Sequence, residues 1–260
     1  MCGRFVITSP PEAIRRLFGY EDQPNFPPRY NIAPTQPIPA VIIENDVRRF
    51  ALLRWGLIPA WVKDPRQFTL LINARAETVL EKPAFKNAMK RRRCLVPADG
   101  YYEWQALPSR KRPLFVHPAD GQLAAFAALA ETWTGPNGEE VDTVAIVTVA
   151  ASADLAPLHH RMPALIAPDH FSQWLDCRAV SDREAMQMLV PPPEGTFSWY
   201  EVSSAVNATA NDDAQLVEAV SEEEIAAEAA AREAAKTTKK SSSRSRVTKT
   251  TANNDQGSLF

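Results

Sequence analysis

The sequence predicts an α+β protein, with mixed or antiparallel β-sheets in a barrel-like single domain and short peripheral helices. Three observations predict it. Short runs rich in β-branched and aromatic residues recur through the first 220 residues, and helical periodicity appears in few places. Twenty-two prolines cut the chain into short elements. There is no strand–helix alternation, no repeat of fixed period and no phosphate-binding glycine loop, which argues against a doubly wound or repeat architecture.

The elements follow in order. "PPEAIRRLFG" sets Ala13, Ile14, Leu17 and Phe18 on one helical face, with proline at its start and Gly19 just past its end. "GYYEW", "RPLFVHP" and "QLAAFAALA" read as strands. "TVAIVTVA" (Thr143–Ala150) is a near-continuous β-branched run, as expected of a strand buried on both faces. "PDHFSQWLD" and "SDREAMQMLV" read as two more helices, and "FSWYEVS" as a last strand. Near residue 220 the composition changes, so the sequence divides into a domain at 1–220 and a tail at 221–260. The tail opens with an Ala/Glu-rich stretch in which Ser221 and Glu224 fit a capping box. Its basic Ser/Thr-rich remainder has too few apolar side chains to offset ordering entropy and is expected to be disordered.

A chain of 260 residues with an ordinary apolar fraction can bury a full core without disulfides or metal. Cys2, Cys94 and Cys177 are sparse and odd in number. They suggest neither a disulfide framework nor a zinc site, and fit a reducing compartment. No apolar run is long enough to span a membrane, and the N-terminus does not resemble a signal peptide. A cytoplasmic monomer is expected, without metal or cofactor. The net charge of −2 gives no bulk signal for nucleic acid, so any such contact needs a local basic patch.

Four stretches combine polar and apolar residues in ways that suggest chemistry. The chain opens "MCGRF". Removal of Met1 would leave Cys2 with an α-amine and a thiol on adjacent carbons, both partly nucleophilic at neutral pH. In "LINARAET", an extended chain would set Asn73, Arg75 and Glu77 on one face. In "ADGYYEW", Tyr101 and Glu103 would face one way and Tyr102 and Trp104 the other, making Glu103 either a rim carboxylate or a general acid/base. In "LHHRMP", His159 and His160 would face opposite ways if extended, and Arg161 could hold an anion or a carboxylate bidentately.

Together with "RYNIAPTQ", "RWGLIPAW", "EKPAFK", "RRCLVPADGYYEW", "IVTVAA" and "VNATANDD", these stretches give a sequence that closely resembles the SRAP family, named for SOS response-associated peptidase. The resemblance spans roughly residues 1–220, and the motifs keep the family's order and spacing. It implies recognition of abasic sites in single-stranded DNA and a covalent link from Cys2 to the sugar aldehyde. The amine and thiol together would close a thiazolidine ring. The resemblance places Asn73, Glu103 and His159 beside Cys2 as catalytic residues. Glu103 would hold or deprotonate the amine, His159 would move protons during ring opening and imine formation, and Asn73 would position the N-terminal end and the sugar. Arg4, Arg75 and Arg161 match positions used for phosphate contact or site geometry. Pro34 and Trp61 match apolar contacts beside the lesion, and Thr148 matches a DNA-contact position. The implied location is the cytoplasm, on the nucleoid when DNA is bound.

Two positions depart from relatives: Ser204 stands where some carry arginine after "VS", and Lys82–Pro83 stand where one has arginine. Two rival readings remain. An N-terminal-nucleophile amidotransferase also begins Met-Cys-Gly but needs glycine-rich loops, and this chain has 9 glycines in all. A non-catalytic DNA-binding module would make Cys2 incidental.

Overall fold

A computed structural model of the chain describes residues 2–108, 110–227 and 230. The expected disorder of the basic tail lies outside the described residues. The chain enters through β1 (Phe5–Ile7), α1 (Pro11–Phe18), β2 (Arg29–Ile32) and a hairpin of β3 (Pro37–Glu44) and β4 (Val47–Trp55). There follow β5 (Asn73–Arg75), α2 (Pro83–Arg91), β6 (Arg93–Ala98) and β7 (Gly100–Ala106). Next come β8 (Lys111–Pro118), β9 (Ala124–Thr134), β10 (Glu140–Ala150) and β11 (Arg161–Pro163). The last named elements are α3 (Phe171–Leu175), α4 (Asp182–Met186) and β12 (Phe197–Glu201).

The strands form an α+β domain around a closed mixed barrel. β10, β4, β3, β6 and β9 pair in that order, and β9 returns to pair with β10. The β4–β10 pair is parallel and the other barrel pairs are antiparallel. β10 is the hub. Beyond the ring it also holds β5 in parallel at Ile146–Thr148 and β11 in antiparallel at Thr148–Ala150. Having partners on all sides explains why Thr143–Val149 is buried throughout and needs a continuous β-branched run. A second sheet, β12–β8–β7–β1–β2, is antiparallel.

The barrel passes directly into the second sheet where β6 turns into β7 at Asp99–Gly100. The Asp99 carboxylate accepts from Ser9 N–H at 2.9 Å and Ser9 Oγ at 2.6 Å. A Cβ at Gly100 would lie 2.5 Å from the Phe115 ring and 2.7 Å from the Val116 carbonyl oxygen, so only glycine fits this corner. Register from Gly100 outward sets Tyr101 against the main core and Tyr102 against a second cluster with Val6, Phe115 and Val202. The predicted alternation of this strand is therefore observed.

The helices close the barrel flanks. α1 starts at Pro11 and ends where Gly19, at φ 69°, returns its N–H to the Arg15 carbonyl. It buries Ile14 and Phe18, and Phe18 stacks on Phe171 of α3 at 5.1 Å. α4 opens with a capping box between Ser181 and Glu184. α2 was not among the expected helices; it buries Phe85, Ala88 and Met89. The main core includes Trp55, Trp174, Phe5 and Phe126, all fully buried. Truncating one such side chain to alanine typically costs about 3–5 kcal/mol.

The chain divides into a compact unit at Met1–Glu218 and a second at Ala219–Phe260. In the second, Ser221 and Glu224 make the expected capping box: Ser221 N–H donates to the Glu224 carboxylate at 2.8 Å, and Glu224 N–H to Ser221 Oγ at 3.2 Å. Among the described residues, no helix is long and apolar enough to cross a membrane.

Candidate active site

Cys2 is completely buried. Its carbonyl oxygen accepts from Asn73 Nδ2 at 2.8 Å, which ties the start of the chain to β5. The other end of that amide, Asn73 Oδ1, is buried without a hydrogen-bond partner among the described residues. Burial pushes the Cys2 thiol up to about 12; the negative charge of Glu103 adds to this, and the positive chain terminus opposes it.

Glu103 reaches this point through strand register. β1 pairs Phe5 with Tyr101 and Val6 with Gly100, and continuing that ladder sets Glu103 across from Gly3. The carboxylate is 6% exposed, and its Oε1 accepts from the Trp104 N–H at 3.1 Å. His159 arrives from the turn before β11. Its Nδ1 accepts from the Arg161 N–H at 2.9 Å and lies 3.3 Å from the Arg161 carbonyl oxygen; the shorter contact favours the neutral tautomer with its proton on Nε2. Burial lowers the His159 pKa, and Glu103 pulls against that shift. Cys2, Asn73, Glu103 and His159 are thus drawn from four separate segments into one electrostatically connected group.

The two histidines depart from the sequence expectation. The chain is not extended at this point, and the rings of His159 and His160 stack with centroids 4.2 Å apart at 26°. They share a side instead of facing opposite ways.

The remaining candidates separate by exposure. Arg75 is exposed at the end of β5 and makes no hydrogen bond or ion pair among the described residues. Trp61 is 59% exposed, its indole edge-on to Phe68 at 5.5 Å. Pro34 is half-buried in the turn after β2. Arg4 is half-buried; its Nη1 donates to Asn31 Oδ1 at 2.7 Å and to the Val206 carbonyl at 2.9 Å, and its guanidinium lies 5.7 Å from the Trp104 ring centre.

Arg161 and Thr148 lie beneath the surface. Arg161 is 8% exposed and grips Glu77 bidentately at 2.6 and 2.9 Å; a further Nη2 contact reaches the Thr148 carbonyl. Of the two partners the sequence allowed it, an anion or a carboxylate, it has taken the carboxylate. β5 ends at Arg75 and the chain turns through Ala76–Thr78, which carries Glu77 to that arginine. Thr148 has no exposed surface, and its hydroxyl lies 3.4 Å from the Ala74 carbonyl. Both residues lace β5, β10 and β11 together under Asn73 and His159.

Asn31 was not singled out by the sequence. It is fully buried, and besides accepting from Arg4 it donates through Nδ2 to Val206, Ala208 and Asn211 carbonyls. Its signal was an amide on a strand otherwise flanked by apolar residues. No group of three or more metal-binding side chains is found among the described residues. An open groove of about 1100 Å³, lined by residues such as Leu123, Leu165, Val180 and Met188, includes none of the site candidates.

A family model described as SOS response associated peptidase (SRAP) matches residues 1–209. An abasic site processing protein of Bacillus subtilis, YoaM, is 38% identical over 84% of this chain and 98% of its own length. An abasic site processing protein of Escherichia coli, YedK, is 31% identical over 85% of this chain and all of its own length. A crystal structure of a protein from Bacteroides thetaiotaomicron superposes with a TM-score of 0.75 at 25% identity, over 85% of this chain and all of that one.

Proposed function

The chain belongs to the SRAP family, and from that premise we propose that it processes abasic sites in single-stranded DNA by bonding covalently through Cys2 once Met1 is removed. The observation that carries this reading is the hydrogen bond from Asn73 to Cys2 and the strand register that brings Glu103 beside it, with His159 within electrostatic reach of Glu103 and the chain terminus. The names of the relatives support DNA with abasic sites as the substrate.

The order of the steps follows from the thiol. Burial disfavours the Cys2 thiolate, which leaves the α-amine to lead. Glu103 takes the proton of the ammonium, and the freed amine adds to C1′ of the open sugar. His159 passes a proton to the departing hydroxyl, water leaves, and an imine remains. Sulfur then bonds to the imine carbon while the thiol proton ends on nitrogen, closing a five-membered thiazolidine. Asn73 keeps the N-terminal end from swinging away, and its unpartnered Oδ1 is available to accept from the amine or a sugar hydroxyl. Arg75 offers charge to a phosphate, and Trp61 with Pro34 offers apolar surface where a base is missing.

The test is the mass of the protein mixed with a single-stranded oligonucleotide holding one abasic site. The expected adduct equals protein without Met1 plus DNA minus one water, and survives denaturation without reductant. Cys2→Ser should give only an imine that borohydride traps, with strand cleavage by β-elimination. Cys94→Ser and Cys177→Ser should match wild type. A stable, unreduced adduct from Cys2→Ser, or from protein that retains Met1, would rule out ring closure through the thiol. Equal reaction of an intact duplex would rule out the single-strand preference.

A further inference from the structure

The turn between β2 and β3 holds a residue in a conformation that its side chain disfavours. Thr35 has φ of 75°. A β-branched residue there meets a steric penalty that glycine escapes and asparagine feels less. The backbone is locked from both sides. Thr35 N–H donates to the Trp55 carbonyl at 2.7 Å, and Trp55 N–H donates to the Gln36 carbonyl at 2.9 Å. The Gln36 side chain accepts from Ala33 N–H at 3.1 Å and from Arg29 Nη2 at 2.9 Å. The fold therefore requires this backbone shape but makes no use of the threonine side chain. Thr35 is exposed, belongs to no apolar cluster, and its hydroxyl makes no hydrogen bond among the described residues. Strain held where internal packing gives no return points to a use outside the chain.

Position says what that use is. β1 and β2 pair Phe5 with Ile32. Beyond that pair both chains leave the same end of the two strands: Arg4, Gly3 and Cys2 precede Phe5, and the turn that carries Pro34 and Thr35 follows Ile32. On the other side of β1 the ladder with β7 sets Glu103 across from Gly3. The Cys2 end thus lies across from Glu103 and emerges from the same end of β1–β2 as the Pro34–Thr35 turn. We propose that Thr35 is a substrate-contacting residue whose hydroxyl donates to a phosphate oxygen of the nucleotide next to the abasic sugar. This rests on the reading of Cys2 as the group that bonds the lesion.

The test compares wild type, Thr35→Gly and Thr35→Ser for adduct formation across a series of concentrations of the abasic single strand, alongside thermal melting. Thr35→Gly should melt no lower than wild type, because glycine takes this φ without strain. Its half-saturating DNA concentration should rise about 3- to 10-fold, the loss expected for one hydrogen bond. Thr35→Ser keeps the hydroxyl and should stay within about twofold of wild type. Wild-type half-saturation in Thr35→Gly overturns the proposal, as does a serine variant that loses as much as glycine. A lowered Tm in Thr35→Gly also overturns it, since the side chain would then serve the fold. Absence of any adduct from wild type would overturn the underlying reading and this one together, whereas the other outcomes strike this one alone.

Discussion

Two stacked imidazoles cannot both hold a proton comfortably, because their charges would sit at ring-contact distance. His159 is the more enclosed of the pair, and its pKa lies below the ordinary histidine value of 6.5, chiefly through burial. Glu103 opposes the shift, while the chain terminus and His160 add to it in their charged forms. His160 is exposed and does not share the Arg161 N–H that fixes the tautomer of His159. Their roles should therefore separate in a pH–rate profile of adduct formation taken between about pH 5 and 8. His159→Ala should slow the reaction by about 10²-fold or more at neutral pH. His160→Ala should cost far less there but should move the limb of the profile set by His159 to higher pH. The sign follows from two effects that agree: removing a like charge and opening His159 to water both favour its imidazolium. A limb that moves to lower pH, or a His160→Ala protein as slow as His159→Ala, would show that the proton traffic runs through the other ring.

At the scale of elements, the amide of Asn31 joins β2, the start of β1 and the segment after β12. Alanine there would leave the carbonyls of Val206, Ala208 and Asn211 without this donor and remove the acceptor of Arg4. The expected loss is about 1–3 kcal/mol in urea unfolding, from the fully buried amide's lost hydrogen bonds and the lost acceptor of Arg4, while the Val206 carbonyl keeps its bond from Arg4. A loss under about 0.5 kcal/mol would mean that water replaces the amide. The same contrast between local and distant partners decides which elements could be read from the sequence. α1 and β10 were legible because periodicity, caps and β-branching are local signals. The β3–β4 hairpin was not, since its turn at Asn45 and Asp46 reaches positive φ without glycine and Arg48 and Arg49 blur the alternation of β4. Closure of the barrel by the parallel β4–β10 pair also has no local signature. Within the site, Tyr101 and Glu103 could be assigned to one face by period two alone. The Glu77–Arg161 pair could not be assigned, because it joins residues 84 apart in the sequence. The histidine stack depends on a turn that the motif itself does not announce.

For the whole molecule, DNA affinity has to come from where charge is placed. The chain carries 29 basic and 31 acidic residues, so its overall field does not draw DNA. Arg75 is an exposed cation beside the site with no hydrogen bond or ion pair among the described residues, whereas Arg161 is neutralised by Glu77. Lys236, Lys239, Lys240, Arg244, Arg246 and Lys249 fall outside the described residues, in a stretch of sequence with no acidic residue between them. The site residues all fall within the compact unit at Met1–Glu218. We therefore expect deletion of residues 221–260 to leave the melting temperature and the maximal adduct yield unchanged, and to weaken binding of single strands at low salt. Each phosphate contact contributes about −0.7 to the slope of log affinity against log salt. Loss of the six cations of that acid-free stretch should therefore flatten the slope by up to about 4. The measurement is a salt series of binding to an oligonucleotide of matched length, with and without the abasic site. A tail that acts only through counterion release flattens both series equally. A tail that reads the lesion flattens the abasic series alone, and a truncated protein with the full-length slope in both would confine the DNA track to the folded unit.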